Sequence, residues 1–227
     1  MLMIYLLKVD IPELLSPSGE EFLRVLKAID PARAKMAKGM DKNPRGRAAC
    51  IGAGLLIRYA VRNYSKIKNP SVGYPKGCIT EVTIGDLLGP GEALDLKYRT
   101  GEQGKPYFTD DSLPFFNISH AGGMVVLAVS DTEVGIDIQD KRKNRETDMA
   151  ERFFSERESR AVKEDETRDI FYRLWSRKEA LGKCTGEGVR PYLDTDVYDL
   201  NAPHLSQYEW TEEILPDGMH LCVCRCK

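Results

Sequence analysis

The chain has 227 residues, of which 42% are hydrophobic and 30% are charged, and its formal net charge is −2. This length suits one large domain or two small ones, and the composition is ordinary for a globular protein. The nearly balanced charge argues against a general affinity for nucleic acid or membrane surfaces, and no apolar run approaches the about 20 residues that span a bilayer.

The first residues, MLMIYLLKVDI, predict a strand. Lys8 and Asp10 interrupt the apolar run, and the stretch has neither a basic leader nor a small-residue cleavage site, so we interpret it as a strand and not as a signal peptide. We therefore expect a cytoplasmic protein. A helix is predicted over residues 20–29, a further helical turn opens at Pro31, and a strongly apolar helix is predicted over residues 48–64.

A run of basic residues lies between these helices, and two interpretations of it stay open. One is a solvated surface, which is the usual role of an isolated charged run. The other is a phosphate site, because Arg and Lys side chains that converge at the start of a helix suit a dianion. The run consists of Arg33, Lys35, Lys38, Lys42, Arg45 and Arg47.

The stretch PFFNISHAGGMVVLAVS contains a short polar cluster, which is the next candidate for a functional site. Apolar runs flank Asn117, Ser119 and His120, and the two glycines that follow allow a ligand to approach the backbone closely. Alternatively, His120 is a hydrogen-bonded structural histidine. Upstream, Lys105 precedes a proline, which favours an extended backbone, so we expect Lys105 to project from an ordered, non-helical segment.

The stretch VGIDIQ predicts a strand whose two faces differ. Val134, Ile136 and Ile138 share one face, and Asp137 and Gln139 share the other with a glycine. A carboxylate and an amide on one strand face can both reach a small cation, and Mg²⁺ is typically held by one or two carboxylates together with substrate phosphates. An exposed polar strand face is the alternative.

The stretch FYRLWSRKEALGK, residues 171–183, predicts an amphipathic helix. Its apolar residues form one stripe, and Ser176, Glu179 and Lys183 lie together beside that stripe, since residues three or four apart are neighbours on a helix. A simple ion pair between Glu179 and Lys183 would also explain this pattern. Before this helix, Ser155 and Glu158 form a capping-box pattern.

Strands are predicted for residues 196–200, 208–214 and 220–224, and a turn at Pro216, Asp217 and Gly218 indicates that the last two form a hairpin. Cys222, Cys224 and Cys226 alternate on the last strand. Reduced thiols are the expected state, because the C-x-x-C spacing typical of zinc sites is missing, although metal binding is a second interpretation.

Five blocks of the chain, taken in order, resemble the 4′-phosphopantetheinyl transferases of the Sfp type. They are GKPYF, FNISHAGG, VGIDIQ, RFFSERE and LWSRKEALGK. The most specific are the G-I-D-I block and the W-S-x-K-E-A-x-x-K block, and the resemblance covers nearly the whole chain. It implies an α/β (α+β) fold of two similar, pseudo-symmetric subdomains, residues 1–131 and 132–227, with the active site at their interface. The second subdomain would carry the metal-site and W-S-x-K-E motifs.

The resemblance also implies an activity. The protein would transfer the 4′-phosphopantetheine group of coenzyme A to a serine of an apo acyl or peptidyl carrier protein and release 3′,5′-ADP, with Mg²⁺ as cofactor. The nucleophile would belong to the partner, which agrees with the lack of a nucleophile motif such as G-x-S-x-G in this chain. Fatty-acid, polyketide and peptide-synthetase carriers are all open, and we expect a monomer that binds neither nucleic acid nor a membrane. Residues 141–145, most of which are basic, are a candidate contact for an acidic carrier, and a solvated loop is the alternative.

Roles follow from the match of motifs. Asp137 and Glu179 would hold Mg²⁺, with Gln139 as a further ligand, and Glu179 would act as base toward the serine hydroxyl. Lys183 would bind the diphosphate and either protonate or neutralise the leaving oxygen of 3′,5′-ADP. The residues that the resemblance places around coenzyme A are Ser119, His120, Lys105, Arg47 and Arg33, the last two at the 3′-phosphate.

One residue departs from the family pattern, which often has Glu where this chain has Gln139. An amide offers a neutral oxygen to Mg²⁺, so a lower metal affinity is expected. The departure favours one alternative to the transferase, a protein that binds coenzyme A or a carrier without transfer. A different metal-dependent enzyme that acts on diphosphates on the same scaffold is a further alternative.

Overall fold

The computed structural model describes residues 1–16, 19–67, 79–88, 94–141 and 146–227. Its strands are β1 (Leu2–Lys8), β2 (Ile79–Glu81), β3 (Tyr98–Thr100), β4 (Pro106–Phe108), β5 (Phe115–Ala121), β6 (Met124–Ser130), β7 (Val134–Gln139), β8 (Tyr208–Ile214) and β9 (His220–Cys226). Its helices are α1 (Pro12–Leu15), α2 (Gly19–Ala28), α3 (Pro31–Lys38), α4 (Pro44–Ile67), α5 (Ile84–Leu87), α6 (Glu146–Phe153), α7 (Glu156–Glu164) and α8 (Asp169–Thr185). The α/β class expected from the sequence is confirmed.

The described strands form three sheets. The first has the order β2-β1-β6-β5, in which β2 runs parallel to β1 and the other neighbours are antiparallel. A small hairpin pairs β3 with β4, and the third sheet has the antiparallel order β7-β9-β8. The central strands β1 and β6 are buried on both faces, which explains why their sequences are continuous apolar runs.

The helices and the two larger sheets form four layers, and each layer covers an apolar face of the next. One face of the first sheet, with Leu7 and Leu127, packs on the apolar side of α4. Its other face, with Ile4 and Val126, packs against Ile136 and the rest of the apolar face of β7. The opposite face of the third sheet lies against α8. The chain therefore stacks helix, sheet, sheet and helix, and each apolar stripe predicted from the sequence is covered.

The two larger sheets meet where β5 lies beside β7, a contact called the seam below. Side chains of β5, and not its backbone, form the hydrogen bonds to β7 there. The edge strand β5 faces β7, but the two strands belong to different sheets. Asn117 Oδ1 accepts a hydrogen bond from the Ile136 amide at 3.1 Å, and Ser119 Oγ accepts one from the Ile138 amide at 3.4 Å. In the described structure, no strand pairs with β7 along the edge that faces β5. The two side chains therefore supply the acceptors that the buried β7 amides need. The similarity of two halves and the boundary near residue 131 stay predictions.

Several predicted elements are confirmed within a few residues. The strand at the start, the helices at 20–29 and 171–183, the β8–β9 hairpin and the Ser155 capping box, whose hydroxyl accepts from the Glu158 amide, are all present. The helix predicted over 48–64 begins earlier, at Pro44, because proline is well suited to the first turn of a helix.

The predicted strand over residues 196–200 was wrong. This segment is irregular, yet its backbone is satisfied by two charged side chains. Arg177 donates to the carbonyl oxygens of Val197 and Tyr198, both at 2.8 Å, and a Glu158 oxygen accepts from the Val197 amide at 2.8 Å. A segment held in this way needs no partner strand, although Val197 itself is buried, which produced the strand-like pattern.

Candidate functional site

The site begins with the close contact of α8 and β7, which only a glycine permits. A Cβ atom built on Gly135 would lie 2.1 Å from the Ala180 carbonyl oxygen and 2.3 Å from the Cys184 amide nitrogen. Because both neighbours are backbone, the helix lies directly on the strand at this point. This contact brings Glu179 and Lys183 of α8 alongside Asp137 of β7.

We expect a Gly135→Ala substitution to separate α8 from β7. Overpacking of this kind costs about 1–3 kcal/mol of unfolding free energy, and the shift also moves Lys183 relative to Asp137. Urea titration measures the first effect and a transfer assay the second. Gly19→Ala is the control, since no atom lies within 4 Å of a Cβ built there; equal stability of the two variants would contradict the expectation.

Asp137 is the centre of the site. It is buried, and three side chains donate to its carboxylate. Oδ1 accepts from Lys183 Nζ at 2.5 Å and from Ser119 Oγ at 2.9 Å, and Oδ2 accepts from Gln139 Nε2 at 2.6 Å. Strand alternation explains why Asp137 and Gln139 share a face, as predicted, and the seam between β5 and β7 brings Ser119 to the same carboxylate.

Glu179 lies beside this cluster, but its environment differs from that of Asp137. Its side chain is half-buried, and within the described residues it has no hydrogen-bond or ion-pair partner. Burial raises the pKa of the Glu179 carboxyl; the positive charge of Lys183 lowers it in part, and the negative charge of Asp137 raises it further. A carboxylate that is desolvated and repelled by another carboxylate is stabilised by any cation that enters between them.

The donor set fits a small hard cation. Asp137 and Glu179 supply carboxylates, and the Gln139 amide nitrogen bonds to Asp137, which leaves its oxygen without a partner among the described residues. Among the residues that the structure describes, no group of three or more His, Cys, Asp or Glu side chains forms a complete metal cage. Two carboxylates and an amide match Mg²⁺, which takes its remaining ligands from water and phosphate oxygens.

Lys105 lies on the other side of Lys183. Its ammonium is buried and donates to Glu133 Oε2 at 2.5 Å and to the Cys184 carbonyl oxygen at 2.8 Å. Both lysines line a cavity of about 220 Å³ together with Asn117. The segment before Pro106 is non-helical, as predicted, but the Lys105 side chain points into the protein and pairs with Glu133, a partner 28 residues away that no local pattern indicates.

His120 faces a second cavity, because alternation along β5 turns it away from Ser119. This cavity, of about 270 Å³, is also lined by Arg45 and Gly46 in the first turn of α4, and by Gly122 and Gly123. The two glycines have φ of 57° and 79°, which is the conformation of a two-residue turn between β5 and β6. His120 is exposed, and the start of α4 supplies the positive end of a helix dipole.

Arg33 and Arg47 are the residues expected at the 3′-phosphate. The arginine that lines the second cavity is Arg45. Arg47 donates to the Leu15 carbonyl oxygen at 3.1 Å and lies 3.6 Å from an Asp41 oxygen. Arg33 lies 3.8 Å from Asp30. In the described structure, the Nε atoms of both arginines are buried without a hydrogen-bond partner. Their role in binding stays a prediction.

Three residues that line or support the candidate site were not predicted from the sequence to take part in it. Arg45 belonged to the basic run but was not singled out, and its position in the first turn of α4 is the signal that could have selected it. Asn117 belonged to the polar cluster with Ser119 and His120, but no role was predicted for it. Glu133 offered no signal, because only the fold brings it to Lys105.

Comparison with known proteins identifies the family of the chain. The family model for the 4′-phosphopantetheinyl transferase superfamily matches residues 133–222, which contain β7 and α8. The chain is 38% identical to a 4′-phosphopantetheinyl transferase of Bacillus subtilis over 163 residues, which are 67% of this chain and 70% of the relative.

Two further relatives come from Bacillus subtilis. The 4′-phosphopantetheinyl transferase Sfp of strain 168 is 38% identical over 143 residues, which cover 57% of this chain and 63% of Sfp. The transferase ffp is 39% identical over 145 residues, covering 59% and 64%. The matched part of the chain thus spans between 63% and 70% of the length of these three relatives. The chain belongs to the 4′-phosphopantetheinyl transferase superfamily and resembles its Sfp-type members.

Proposed function

We propose that this protein transfers the 4′-phosphopantetheine group of coenzyme A to a serine hydroxyl of an apo acyl or peptidyl carrier protein and releases 3′,5′-ADP. The observation that carries the proposal is the pairing of the Lys183 ammonium with the buried Asp137 carboxylate beside Glu179, which has no partner among the described residues. This arrangement suits a diphosphate and a proton acceptor, and it lies within the part of the chain that matches the family.

In this proposal, Glu179 accepts the proton of the serine hydroxyl. The serine oxygen then forms a bond to the phosphorus of phosphopantetheine, and the bond from that phosphorus to the oxygen of 3′,5′-ADP breaks. A carboxyl whose pKa is raised by burial is better matched to such a proton transfer than an ordinary surface carboxylate.

Lys183 contributes by charge. Its ammonium lines the cavity that it shares with Lys105, so it can bind the diphosphate and neutralise the leaving oxygen. Ser119 orients Asp137 through its hydrogen bond and also accepts one from Lys183 at 3.2 Å. Asp137 and Glu179, with Gln139 as a neutral donor, would hold Mg²⁺, which would offset the charge of the diphosphate.

The nucleotide end of coenzyme A fits the second cavity. His120 and Arg45 line it beside the start of α4, where backbone amides and the helix dipole favour a phosphate. Asn43 closes part of this helix start, since its Oδ1 accepts from the Gly46 amide at 2.9 Å. Arg33 and Arg47 stay candidates for the 3′-phosphate, and Lys105 for contact with the nucleotide, as the resemblance implies.

Other expectations from the sequence also stay predictions: a monomer, a cytoplasmic location and the lack of nucleic-acid binding. Within the described residues, none of the helices combines the length and apolar character needed to cross a bilayer. Of the basic segment expected to meet the carrier, Lys141 forms an ion pair with Asp169, and residues 142–145 lie outside the described residues.

The deciding experiment is intact-mass spectrometry of an apo carrier protein after incubation with coenzyme A, Mg²⁺ and this protein. A gain of one phosphopantetheine on the carrier is the expected result, and fatty-acid, polyketide and peptide-synthetase carriers are tested in parallel. Coenzyme A binding without any gain on all three would support a binding protein, and release of 3′,5′-ADP without a carrier would support a different diphosphate-cleaving enzyme.

A Gln139→Glu substitution is expected to make the protein more dependent on Mg²⁺. In the metal-free protein, the new carboxylate replaces the hydrogen bond to Asp137 with charge repulsion, so the melting temperature falls. Added Mg²⁺ should raise that temperature more than in the parent protein, since a ligand stabilises the fold to an extent that grows with its affinity. The control is Gln207→Glu on the exposed surface. The same Mg²⁺ response in all three proteins would rule out Gln139 as a metal ligand.

A further inference from the structure

The last strand and the last turn of α8 bring several thiols together. Cys222 and Cys224 are buried on the face of β9 that packs against α8, and Cys226 lies at the partly exposed end of the same strand. Cys184, the residue directly after Lys183, is buried opposite them. The Cys184 and Cys226 sulfur atoms are 4.0 Å apart, and Cys184 Sγ also contacts the Glu133 carbonyl oxygen at 3.4 Å.

The two facing thiols have different chemistry. Hydrogen bonding with Cys224 lowers the pKa of the Cys184 thiol, and the positive charge of Lys105 and the Cys226 thiol act in the same direction against the effect of burial. Burial raises the pKa of Cys226 to about 11. Cys184 is therefore the better nucleophile but is closed to solvent, whereas Cys226 is the poorer nucleophile but is partly exposed.

We propose that Cys184 and Cys226 form a redox-sensitive pair that a small disulfide, such as oxidised glutathione, converts into an intramolecular disulfide. The partly exposed Cys226 sulfur attacks the glutathione disulfide, which forms a mixed disulfide and releases one glutathione thiol. The Cys184 thiolate then attacks the Cys226 sulfur and expels the second glutathione thiol. The two protein thiols are oxidised, oxidised glutathione is reduced, and its two thiols take up both protons.

The pair is placed where a disulfide would affect the candidate site. Forming the bond brings the two sulfur atoms from 4.0 Å to about 2 Å, which draws the last turn of α8 toward β9. The backbone of Cys184 is already fixed on one side, since its carbonyl oxygen holds the Lys105 ammonium and its amide nitrogen faces Gly135. The link therefore adds a second anchor to the turn that follows Lys183.

Peptide mapping tests the proposal directly. The folded protein is incubated with oxidised glutathione, its remaining thiols are alkylated, and it is digested with trypsin without reduction. No Lys or Arg that trypsin cleaves occurs between Cys184 and Arg225, because Arg190 precedes a proline. A Cys184–Cys226 bond therefore joins the peptide of residues 184–225 to the dipeptide of residues 226–227, and fragmentation that finds Cys222 and Cys224 alkylated identifies Cys184 as the bonded residue. A Cys184–Cys224 bond leaves the dipeptide separate.

The expected product is the joined pair of peptides, reversed by dithiothreitol. A Cys184→Ser variant should stop at the mixed disulfide and retain one glutathione on Cys226, and Cys226→Ser should yield neither product. Cys50→Ser on α4 is the matched control and should behave like the parent protein. Free Cys226 after prolonged oxidation of the folded parent, a Cys184–Cys224 bond, or glutathione retained on Cys226 in the parent would each overturn the proposal.

Discussion

Replacing Glu179 by glutamine is expected to abolish measurable transfer and to leave the fold intact. The amide has nearly the same shape but cannot accept the proton of a serine hydroxyl, and loss of a general base costs about 10²–10⁴-fold in rate. The metal site loses one of its two carboxylates at the same time, so the loss should lie at the upper end of that range. Intact-mass spectrometry of the carrier measures transfer.

Stability distinguishes this result from misfolding. Glu179 has no partner within the described structure and is repelled by Asp137, so a neutral amide should leave the free energy of unfolding unchanged or slightly increased. Glu213→Gln, an exposed change on β8, is the control and should retain full transfer. Near-normal turnover by the Glu179→Gln protein would show that another group is the base.

Replacing Lys178 by methionine is expected to produce the largest loss of stability. Lys178 and Glu158 are both fully buried and form an ion pair at 2.8 Å. Lys178 also donates to the carbonyl oxygen of Thr195 at 2.5 Å, and Glu158 accepts from the Val197 amide. Removing one partner leaves a buried charge without compensation, which costs about 3–5 kcal/mol. Urea unfolding followed by circular dichroism gives the value.

A second substitution identifies the cause of that loss. In the double variant Lys178→Met with Glu158→Gln, the uncompensated charge is gone and the Val197 amide keeps an acceptor, so part of the stability should return. Lys163→Met on the exposed side of α7 is the control and should change stability by less than about 0.5 kcal/mol. If the single and double variants are equally unstable, lost packing rather than a buried charge is the cause.

Local periodicity was sufficient to predict the core of the candidate site. Alternation along β7 put Asp137 and Gln139 on one face, and helical spacing put Glu179 and Lys183 one turn apart on α8. Each pattern lies within a single element, so no knowledge of the fold was needed. Neither pattern indicates that the two elements meet; the family resemblance implied that meeting, and Gly135 explains it physically.

Contacts between distant segments were beyond the reach of such patterns. Lys105 was expected to project from an ordered, non-helical segment, and no local pattern indicates that its ammonium is held by Glu133 and by the backbone of Cys184. The segment around Val197 resembled a strand because its apolar side chain is buried, and only the positions of Arg177 and Glu158 reveal how its backbone is satisfied without one. Both features depend on side chains that arrive from elsewhere in the fold.

The seam between β5 and β7 gives this protein a route for local opening. Alternate amides of β7 are held by side chains of β5, at Ile136 and Ile138, while the other edge of β7 pairs with β9 through backbone bonds. Rotation of Asn117 and Ser119 about their side-chain torsions releases the first set without breaking a ladder. The hydrogen bonds across this seam can therefore open locally, at a free energy below that of global unfolding, while the apolar contact of Ile4 and Val126 with Ile136 keeps the two sheets packed together.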